Sequence, residues 1–208
     1  MGVRTLLVGT DNSYYEQWTV PLFRAVHYYA PWLELHAHIV NPDKHTQLDY
    51  VKYTTECRSF SSDQERIGYL QAVRFLVAQE YNQIMIVDAD SMCTQPFKEH
   101  EYDDIVQGQT VLHHPKADRW LAGFVATNNR IFLQDYHDRL MKNPVTKFKH
   151  GWDQKVLKNL ADDYKFKECP DRWMKVGKPS SQSIFMTLKG DQKTSSKYLH
   201  YYNQFKRS

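Results

Sequence analysis

The pattern of apolar and polar positions predicts alternating strands and helices over the first ninety residues. Residues 5–8 form a short apolar run, and residues 33–39 alternate apolar with polar side chains, which predicts a half-buried strand with His36 and His38 on its polar face. Ile84–Val87 is apolar throughout, as in strands that are buried on both faces of a parallel sheet. Strands in this order with helices between them indicate an α/β layered domain.

Capping patterns mark the helices between these strands. Residues 62–65 form a capping box ahead of an apolar stripe at i, i+3, i+4 and i+7 that runs from Tyr69 to Leu76. Residues 13–16 have the same capping spacing, and Thr19 as a second N-cap predicts a helix to about residue 29. Each helix lies between two predicted strands.

Residues 41–61 are polar and predict a connection without regular structure. After residue 90 the regular alternation of strands and helices ends, and the last forty residues predict short strands and loops. Further elements are expected between these regions: strands at 105–106, 110–112 and 121–126, and helices at about 129–142 and 152–163. No linker or repeat divides the chain.

Composition narrows the class of protein. The 208 residues are 41% hydrophobic and 25% charged, as in a folded domain, and the net charge of +3 is too small to argue for nucleic acid. Cys57, Cys93 and Cys169 are widely spaced and odd in number, which favours reduced thiols over disulfides or a zinc site. No apolar segment has the length of a membrane span, and no signal peptide is recognisable, so we expect a cytoplasmic protein, in the host cytoplasm if a virus encodes it.

The clearest candidate chemistry follows the buried strand at Ile84–Val87. Asp88 and Asp90 come directly after it, and ligands of open α/β sheets bind beyond the carboxyl ends of such strands. Two carboxylates there can hold a divalent cation, and the cation can hold a diphosphate. Asp is also a common turn residue after a strand, so this pair by itself leaves both interpretations open.

Residues 84–90 resemble the DxD segment of GT-A glycosyltransferases, especially the glycogenin-like retaining group and its small viral relatives. The resemblance extends over most of the chain in the expected order. It implies a single GT-A domain over residues 1–208. Residues 1–92 would be a Rossmann-like nucleotide-binding half with a mixed sheet flanked by helices, and residues 93–208 a mixed acceptor half.

The resemblance implies a nucleotide site. Residues 8–14 are similar to the uridine-binding opening of that group, where Thr10 and Asp11 would hydrogen-bond the base or ribose and Tyr14 would stack on the uracil. Arg74, whose stem should be partly buried, needs an anionic partner such as Glu80 or another carboxylate; in the family its position contacts donor phosphate or sugar. The implied nucleotide-binding set is Thr10, Asp11, Tyr14, Arg74, Asp88, Ala89 and Lys206.

The resemblance also implies a donor-sugar site. Ala122 and Gly123 resemble a small-residue strand beside the sugar, although Leu121 replaces the usual Asn, and the residues Asp153 and Gln154 match an Asp-Gln element next to the anomeric carbon. Asp153 would be the base of an inverting enzyme, or an N-cap of the following helix. Gln154 would orient or stabilise the reacting sugar in a retaining enzyme, which the resemblance favours. The implied donor-sugar set is Arg74, Ala122, Gly123, Asp153 and Gln154.

The C-terminal element is ambiguous. The family pattern His-x-x-Gly-x-x-Lys is matched by His200 and Lys206, with Asn203 in place of Gly. Residues 187–193 keep the Gly and Lys but place Thr187 at the His position, where it is a poor metal ligand. We therefore expect Asp88, Asp90 and His200 to bind the metal and Lys206 to bind the diphosphate; the alternative is a C-terminal tail with an incidental His.

Together these features predict a metal-dependent glycosyltransferase. It would transfer a hexose, with glucose expected, from a UDP-sugar to an unidentified saccharide or other hydroxyl acceptor, with retention. Mn²⁺ is favoured over Mg²⁺ because the set includes an imidazole. The alternatives are a phosphatase of the haloacid dehalogenase type with Asp88 as nucleophile, and a non-catalytic sugar-binding module on a degenerate transferase fold. Nucleic acid and membrane are not expected partners, and the oligomeric state is left open.

Overall fold

The computed structural model describes residues 2–114, 118–142, 151–176, 182–187 and 196–206. Its main sheet contains seven strands: β1 (Thr5–Asp11), β2 (Glu34–Val40), β3 (Val51–Glu56), β4 (Ile84–Val87), β6 (Gln109–His114), β7 (Arg119–Thr127) and β8 (Lys167–Glu168). Their spatial order is β3-β2-β1-β4-β7-β6-β8. Strands β3, β2, β1 and β4 are parallel, whereas β7 is antiparallel to both β4 and β6.

A second sheet and the helices complete the architecture. Three short strands pair in the order β5-β10-β9, namely β5 (Ser91–Cys93), β10 (Phe185–Thr187) and β9 (Met174–Val176). The helices are α1 (Asn12–Tyr14), a π-helix (Tyr15–Thr19), α2 (Val20–Tyr29), α3 (Asp63–Ala78), α4 (Glu99–Ile105), α5 (Arg130–Met141), α6 (Trp152–Tyr164) and α7 (Ser196–Lys206). Within the described segments, no helix combines the length and the apolar character that crossing a membrane requires.

Strand β4 separates two hydrophobic cores. Ile84 and Ile86 pack into the core that contains residues of α3, α5 and α6, whereas Met85 and Val87 pack into the core that contains residues of α2 and the second sheet. All four side chains are fully buried. The uninterrupted apolar run therefore reflects burial on both faces, and the predicted α/β class with a mixed sheet flanked by helices is confirmed.

The strand directions bring polar residues to one edge of the sheet. Because β1 and β4 are parallel neighbours, the end of β1 at Asp11 and the end of β4 at Val87 lie on the same side. Strand β7 runs back alongside β4, and the Asp88 backbone N–H donates to the Gly123 carbonyl at 3.0 Å. This edge, where the parallel half meets the antiparallel strand, holds the candidate site.

Several predicted elements are confirmed with small shifts. Helix α2 begins after Thr19, and α3 begins after Ser62, whose hydroxyl accepts a hydrogen bond from the Glu65 backbone N–H. Strands β6 and β7 and helices α5 and α6 also lie where the apolar pattern placed them. Long periodic segments with caps were thus predicted well.

Two element predictions are wrong, and a third is incomplete. Residues 41–61 contain β3, a half-buried edge strand whose polar side chains hid its period. Residues 105–106 end α4 instead of forming a strand, because Ile105 packs inward with Tyr102 one helical turn before it. In the last forty residues the predicted short strands are present as β9 and β10, but the segment also contains helix α7, which packs against α2 and is stabilised by that contact despite its many aromatic residues.

Two local predictions also need correction. The cap before α1 is Asp11, which accepts from the Tyr14 backbone N–H at 2.9 Å, so residues 13–16 are not a capping box. Glu16 instead accepts hydrogen bonds from Thr46.

His36 and His38 are buried, not on a polar face, because β2 lies between β1 and β3. Lys52 lies 3.0 Å from the Tyr81 hydroxyl, which lies 2.6 Å from His36 Nδ1. The Thr54 hydroxyl lies 2.8 Å from His36 Nε2 and 2.9 Å from His38 Nδ1. Donation from Lys52 through Tyr81, His36 and Thr54 to His38 satisfies every contact with both imidazoles neutral. Burial lowers the pKa of His36 to about 4 and also lowers the pKa of His38.

Candidate active site

A cavity of about 610 Å³ lies at the carboxyl ends of β1 and β4. The structure brings most of the predicted site residues together there: Thr10, Asp11, Tyr14, Arg74, Asp88, Ala89, Asp90, Ala122, Gly123, Asp153 and Gln154. They come from β1, α1, α3, the turn after β4, β7 and α6. Residues of both predicted halves of the chain therefore line one cavity.

Arg74 and Asp88 form an ion pair at this cavity. Arg74 donates from Nη1 to Asp88 Oδ1 at 2.7 Å, and the Arg74 side chain is only 6% exposed against 39% for Asp88. Burial acts to lower the pKa of Arg74, but the charge and hydrogen bond of Asp88, with smaller contributions from Tyr136 and Asp153, together raise it above its usual value. The expected anionic partner of Arg74 is thus Asp88 and not Glu80.

Two glycines make room for this pair. A Cβ on Gly9 would lie 2.7 Å from the Arg74 Cβ, so the bare backbone of β1 lets α3 approach closely. A Cβ on Gly123 would lie 2.6 Å from Asp88 Oδ2 and 3.2 Å from its Cγ. Since real Cβ atoms do not approach other atoms this closely, Gly123 forms a wall that only glycine can provide without displacing the Asp88 carboxylate.

Asp153 lies deeper in the site. Helix α6 begins at Trp152 after Gly151, whose φ of 83° is the left-handed conformation, so Asp153 belongs to the first helical turn and is not the predicted N-cap. Its side chain is buried, and its backbone carbonyl accepts from the Tyr136 hydroxyl at 3.0 Å. Burial, and then the charge of Asp153, raise the pKa of Tyr136. The charges of Asp88 and Asp153 both act to raise the pKa of Arg74.

The opposite end of the cavity is more open and partly apolar. Tyr14 from α1 and Ile67 from α3 both line it, and they are 44% and 46% exposed. Asp11 is already engaged: Oδ1 caps α1, and Oδ2 pairs with Arg66. The Thr10 hydroxyl donates to the Asp11 carbonyl at 3.1 Å.

The sequence interpretation missed the cavity-facing residues of α3 other than Arg74. Arg66, Ile67, Leu70 and Gln71 also line the cavity. Helical spacing carried the missing signal, because residues four and eight positions before Arg74 lie on the same face of the helix. Leu121, the departure from the family pattern, lines the cavity too.

The C-terminal prediction is not assembled in the same way. His200 is exposed on α7, and neither His200 nor Lys206 is among the described residues that line the cavity. Helix α7 is instead held beside the π-helix and α2: Tyr202 donates to the Gln17 carbonyl at 2.6 Å, and Arg24 of α2 donates to the Lys206 carbonyl at 2.8 Å.

Of the alternative C-terminal element, residues 187–193, the structure describes only Thr187. Thr187 lines the cavity and is buried, whereas residues 188–193, including the predicted Gly190 and Lys193, fall outside the described part of the chain. Among the residues that the structure describes, no group of three or more His, Cys, Asp and Glu side chains is arranged to hold a metal ion.

The two carboxylates of Asp88 and Asp90 still fit a divalent cation that prefers oxygen ligands. Asp88 and Asp90 supply carboxylate oxygens at one cavity, and Mg²⁺ characteristically binds one or two carboxylates together with substrate phosphates and water. Such a site needs no protein imidazole. The chemistry of the described ligands therefore suits an oxygen-preferring cation, whereas a preference for Mn²⁺ would require the His200 imidazole.

Two solved structures of one glycosyltransferase share this fold. The apo form of glycosyltransferase GlyE from Streptococcus pneumoniae TIGR4 superimposes with a TM-score of 0.69 at 9% identity, over 100% of this chain and 61% of that one. A second GlyE structure gives a TM-score of 0.66 at 10% identity, over 99% of this chain and 61% of that one. No protein-family model matches the sequence, and no curated protein matches it. The likeness shows a glycosyltransferase fold, and this chain spans about three fifths of GlyE's length.

Proposed function

We propose that this protein is a glycosyltransferase that uses a UDP-hexose donor, with glucose as the hexose, a hydroxyl group as acceptor and a divalent cation. The observation that carries the proposal is the convergence of Arg74, Asp88, Asp90 and Asp153 on one cavity at the carboxyl edge of a sheet with a glycosyltransferase fold. Fold alone does not define an activity, and the ligands that these side chains can bind decide it.

The open end of the cavity suits the nucleoside. Tyr14 offers an aromatic face for a base, and Ile67 adds apolar surface on the α3 side. Asp11 and Arg66 place an acceptor and a set of fixed donors beside this surface, which matches the mixed donors and acceptors of a base or ribose. We therefore place the uridine between α1 and the start of α3.

The diphosphate would lie next to the turn after β4. Arg74 presents a permanent positive charge there, and the Asp88–Asp90 turn would hold the divalent cation together with phosphate oxygens. When bound, that cation stabilises as a Lewis acid the negative charge that builds on the departing diphosphate. Lys206 retains its predicted role at the diphosphate only if α7 approaches the cavity more closely than its packing against α2 shows.

The sugar would lie over Ala122 and Gly123, towards Asp153 and Gln154. Asp153 is buried near Arg74 and lines the cavity, so its charge can stabilise positive charge at the anomeric carbon. This position suits a stabilising role better than proton transfer from an acceptor that arrives from solvent. The assignment supports retention, with Gln154 as the orienting group.

A donor panel tests the proposal. The protein is incubated with UDP-, GDP- and ADP-sugars and Mg²⁺ or Mn²⁺, and nucleoside diphosphate release is followed, with the anomer of the sugar product read by NMR. We expect release from UDP-glucose, an α-product from the α-linked donor, and a loss on the order of 10²–10³ in kcat for Asp153→Asn. Asp162→Asn, an exposed change on the same helix, is the matched control and should leave kcat unchanged.

The alternatives predict different results. Binding of UDP-sugar without release or transfer would indicate a sugar-binding module, and hydrolysis of phosphate monoesters through a phosphorylated Asp88 would indicate a phosphatase. No release from any donor, or full activity of Asp153→Asn, would contradict the proposed function. A β-product from an α-linked donor would contradict retention alone.

A further inference from the structure

Arg74 occupies a carboxylate that the proposed cation also needs. Its guanidinium binds Asp88 Oδ1 at 2.7 Å in the ligand-free protein. We propose that Arg74 is an internal counter-ion of Asp88 that opposes binding of a divalent cation alone and makes cation and nucleoside diphosphate bind synergistically. This inference depends on the proposed function, because it concerns the same cavity.

The positive charge of Arg74 next to Asp88 persists, because the side chain neither loses its proton nor leaves the site easily. A guanidinium stays protonated in proteins, and its interaction with Asp88 raises the pKa further. The side chain is almost wholly buried, and its Cβ sits against the bare backbone of Gly9. The positive charge next to Asp88 is therefore a fixed property of the empty site.

A cation that arrives alone meets an unfavourable charge arrangement. It must share Asp88 with the Arg74 guanidinium at close range, in a partly buried place where charges are poorly screened. Asp153 adds a second negative charge near Arg74, but the guanidinium stays paired with the carboxylate that the cation would share. A diphosphate changes the arrangement, since its oxygens can face both the guanidinium and the cation.

The hydrogen bonding of Arg74 supports this exchange. Its Nε is buried and has no hydrogen-bond partner among the described residues, although Arg74 lines the cavity. A buried donor without a partner is costly, and an anionic ligand in the cavity would satisfy it. Arg74 thus holds Asp88 with one nitrogen and keeps another available for a phosphate or sugar oxygen.

Manganese binding to the free protein tests the inference without reference to catalysis. The affinity for Mn²⁺ is measured by calorimetry or by electron paramagnetic resonance of free Mn²⁺, with and without UDP. In the wild type we expect weak binding alone and binding at least about tenfold tighter with UDP. Arg74→Gln should bind Mn²⁺ alone at least about tenfold more tightly, and UDP should add correspondingly less, because coupling is reciprocal.

Arg4→Gln is the matched control. It removes the same charge and breaks an ion pair, with Asp103, and Arg4 is not among the described residues that line the cavity. Its Mn²⁺ affinity in the absence of UDP should equal that of the wild type. Arg74→Lys keeps the charge and should also bind Mn²⁺ alone weakly.

The outcomes separate this inference from the proposed function. If UDP enhances Mn²⁺ binding in the wild type but Arg74→Gln binds Mn²⁺ alone no more tightly, the counter-ion role is wrong while the proposed function stands. If the wild type binds neither UDP nor Mn²⁺ with UDP, both fail. Should Arg74→Gln not fold, the pair Asp153→Asn and Arg74→Gln/Asp153→Asn answers the same question, because the double variant leaves the buried charge balance unchanged. Equal Mn²⁺ affinity in that pair would overturn the inference.

Discussion

Substituting Gly123 by alanine should damage the site from the side of the sheet. The new methyl group would lie 2.6 Å from Asp88 Oδ2, and the strands cannot separate without breaking the 3.0 Å hydrogen bond from the Asp88 N–H to the Gly123 carbonyl. The Asp88 side chain is 39% exposed and can rotate towards solvent, but Arg74 is only 6% exposed and cannot follow. The variant therefore leaves the buried Arg74 guanidinium without its ion-pair partner.

The expected magnitude follows from these two effects. Overpacking by one methyl group costs about 1–3 kcal/mol, and removing the partner of a fully buried ion pair costs about 3–5 kcal/mol. Since Asp88 can turn outward and remain partly engaged, we expect the free energy of unfolding to fall by about 2–3 kcal/mol. UDP affinity should fall at least about tenfold, a change of about 1.4 kcal/mol in binding free energy.

Urea denaturation and UDP titration of the same preparations measure both effects. Gly2→Ala is the control, because the nearest atom to its new methyl group is the Asn82 Cβ at 3.8 Å, an ordinary contact. That variant should match the wild type. Unchanged stability and unchanged UDP affinity in Gly123→Ala would show that the Arg74–Asp88 arrangement does not depend on the glycine wall.

Three further predictions concern acid stability and the cation. In the unfolded chain His36 binds a proton below about pH 6.5, whereas in the folded protein its pKa is lowered to about 4. The free energy of unfolding should therefore fall by roughly 3 kcal/mol as the pH is lowered from 6.5 to 4. His36→Gln should remove that part of the fall in urea denaturation, whereas the exposed His100→Gln should not; identical pH slopes in wild type and His36→Gln would contradict the neutral hydrogen-bond chain. Asp90→Asn should weaken Mg²⁺ or Mn²⁺ affinity in the presence of UDP at least about tenfold by calorimetry, and no change would exclude Asp90 as a ligand. His200→Ala should leave cation affinity unchanged, because His200 is exposed on α7 beside α2, and a loss would restore it as the third ligand.

The sequence predicted the first half of the fold because its signals are local. The apolar run at Ile84–Val87 and the cap at Ser62 each depend on neighbouring residues, and both correspond to observed elements. Placement of Asp88 beside Thr10 and Asp11 follows from parallel strand order, which the alternation of strands and helices indicates.

Elements stabilised mainly by tertiary contacts were not predictable in the same way. Strand β3 is an edge strand with few buried residues, and α7 is an aromatic-rich helix of low intrinsic propensity that depends on packing against α2. The burial of His36 likewise depends on β3 covering β2, so an error in one element led to an error in the other.

The site shows the same division. Arg74 needed a carboxylate on sequence grounds, but only the structure distinguishes Asp88 from Glu80 as its partner. Arg66 was detectable from its spacing to Arg74, whereas the engagement of Asp11 by Arg66 was not, because it joins residues far apart in the chain. The reason for glycine at position 123 is a contact across two strands, which no local pattern reveals.

Calorimetric titration of UDP with and without a divalent cation tests the central claim most directly. The claim is that the cavity binds a nucleoside diphosphate through Arg74 and through a cation held at Asp88 and Asp90. We predict that Mg²⁺ or Mn²⁺ raises UDP affinity at least about tenfold and has much less effect on uridine, which lacks the phosphates. Equal UDP affinity with and without the cation, or no UDP binding in either condition, would contradict the account.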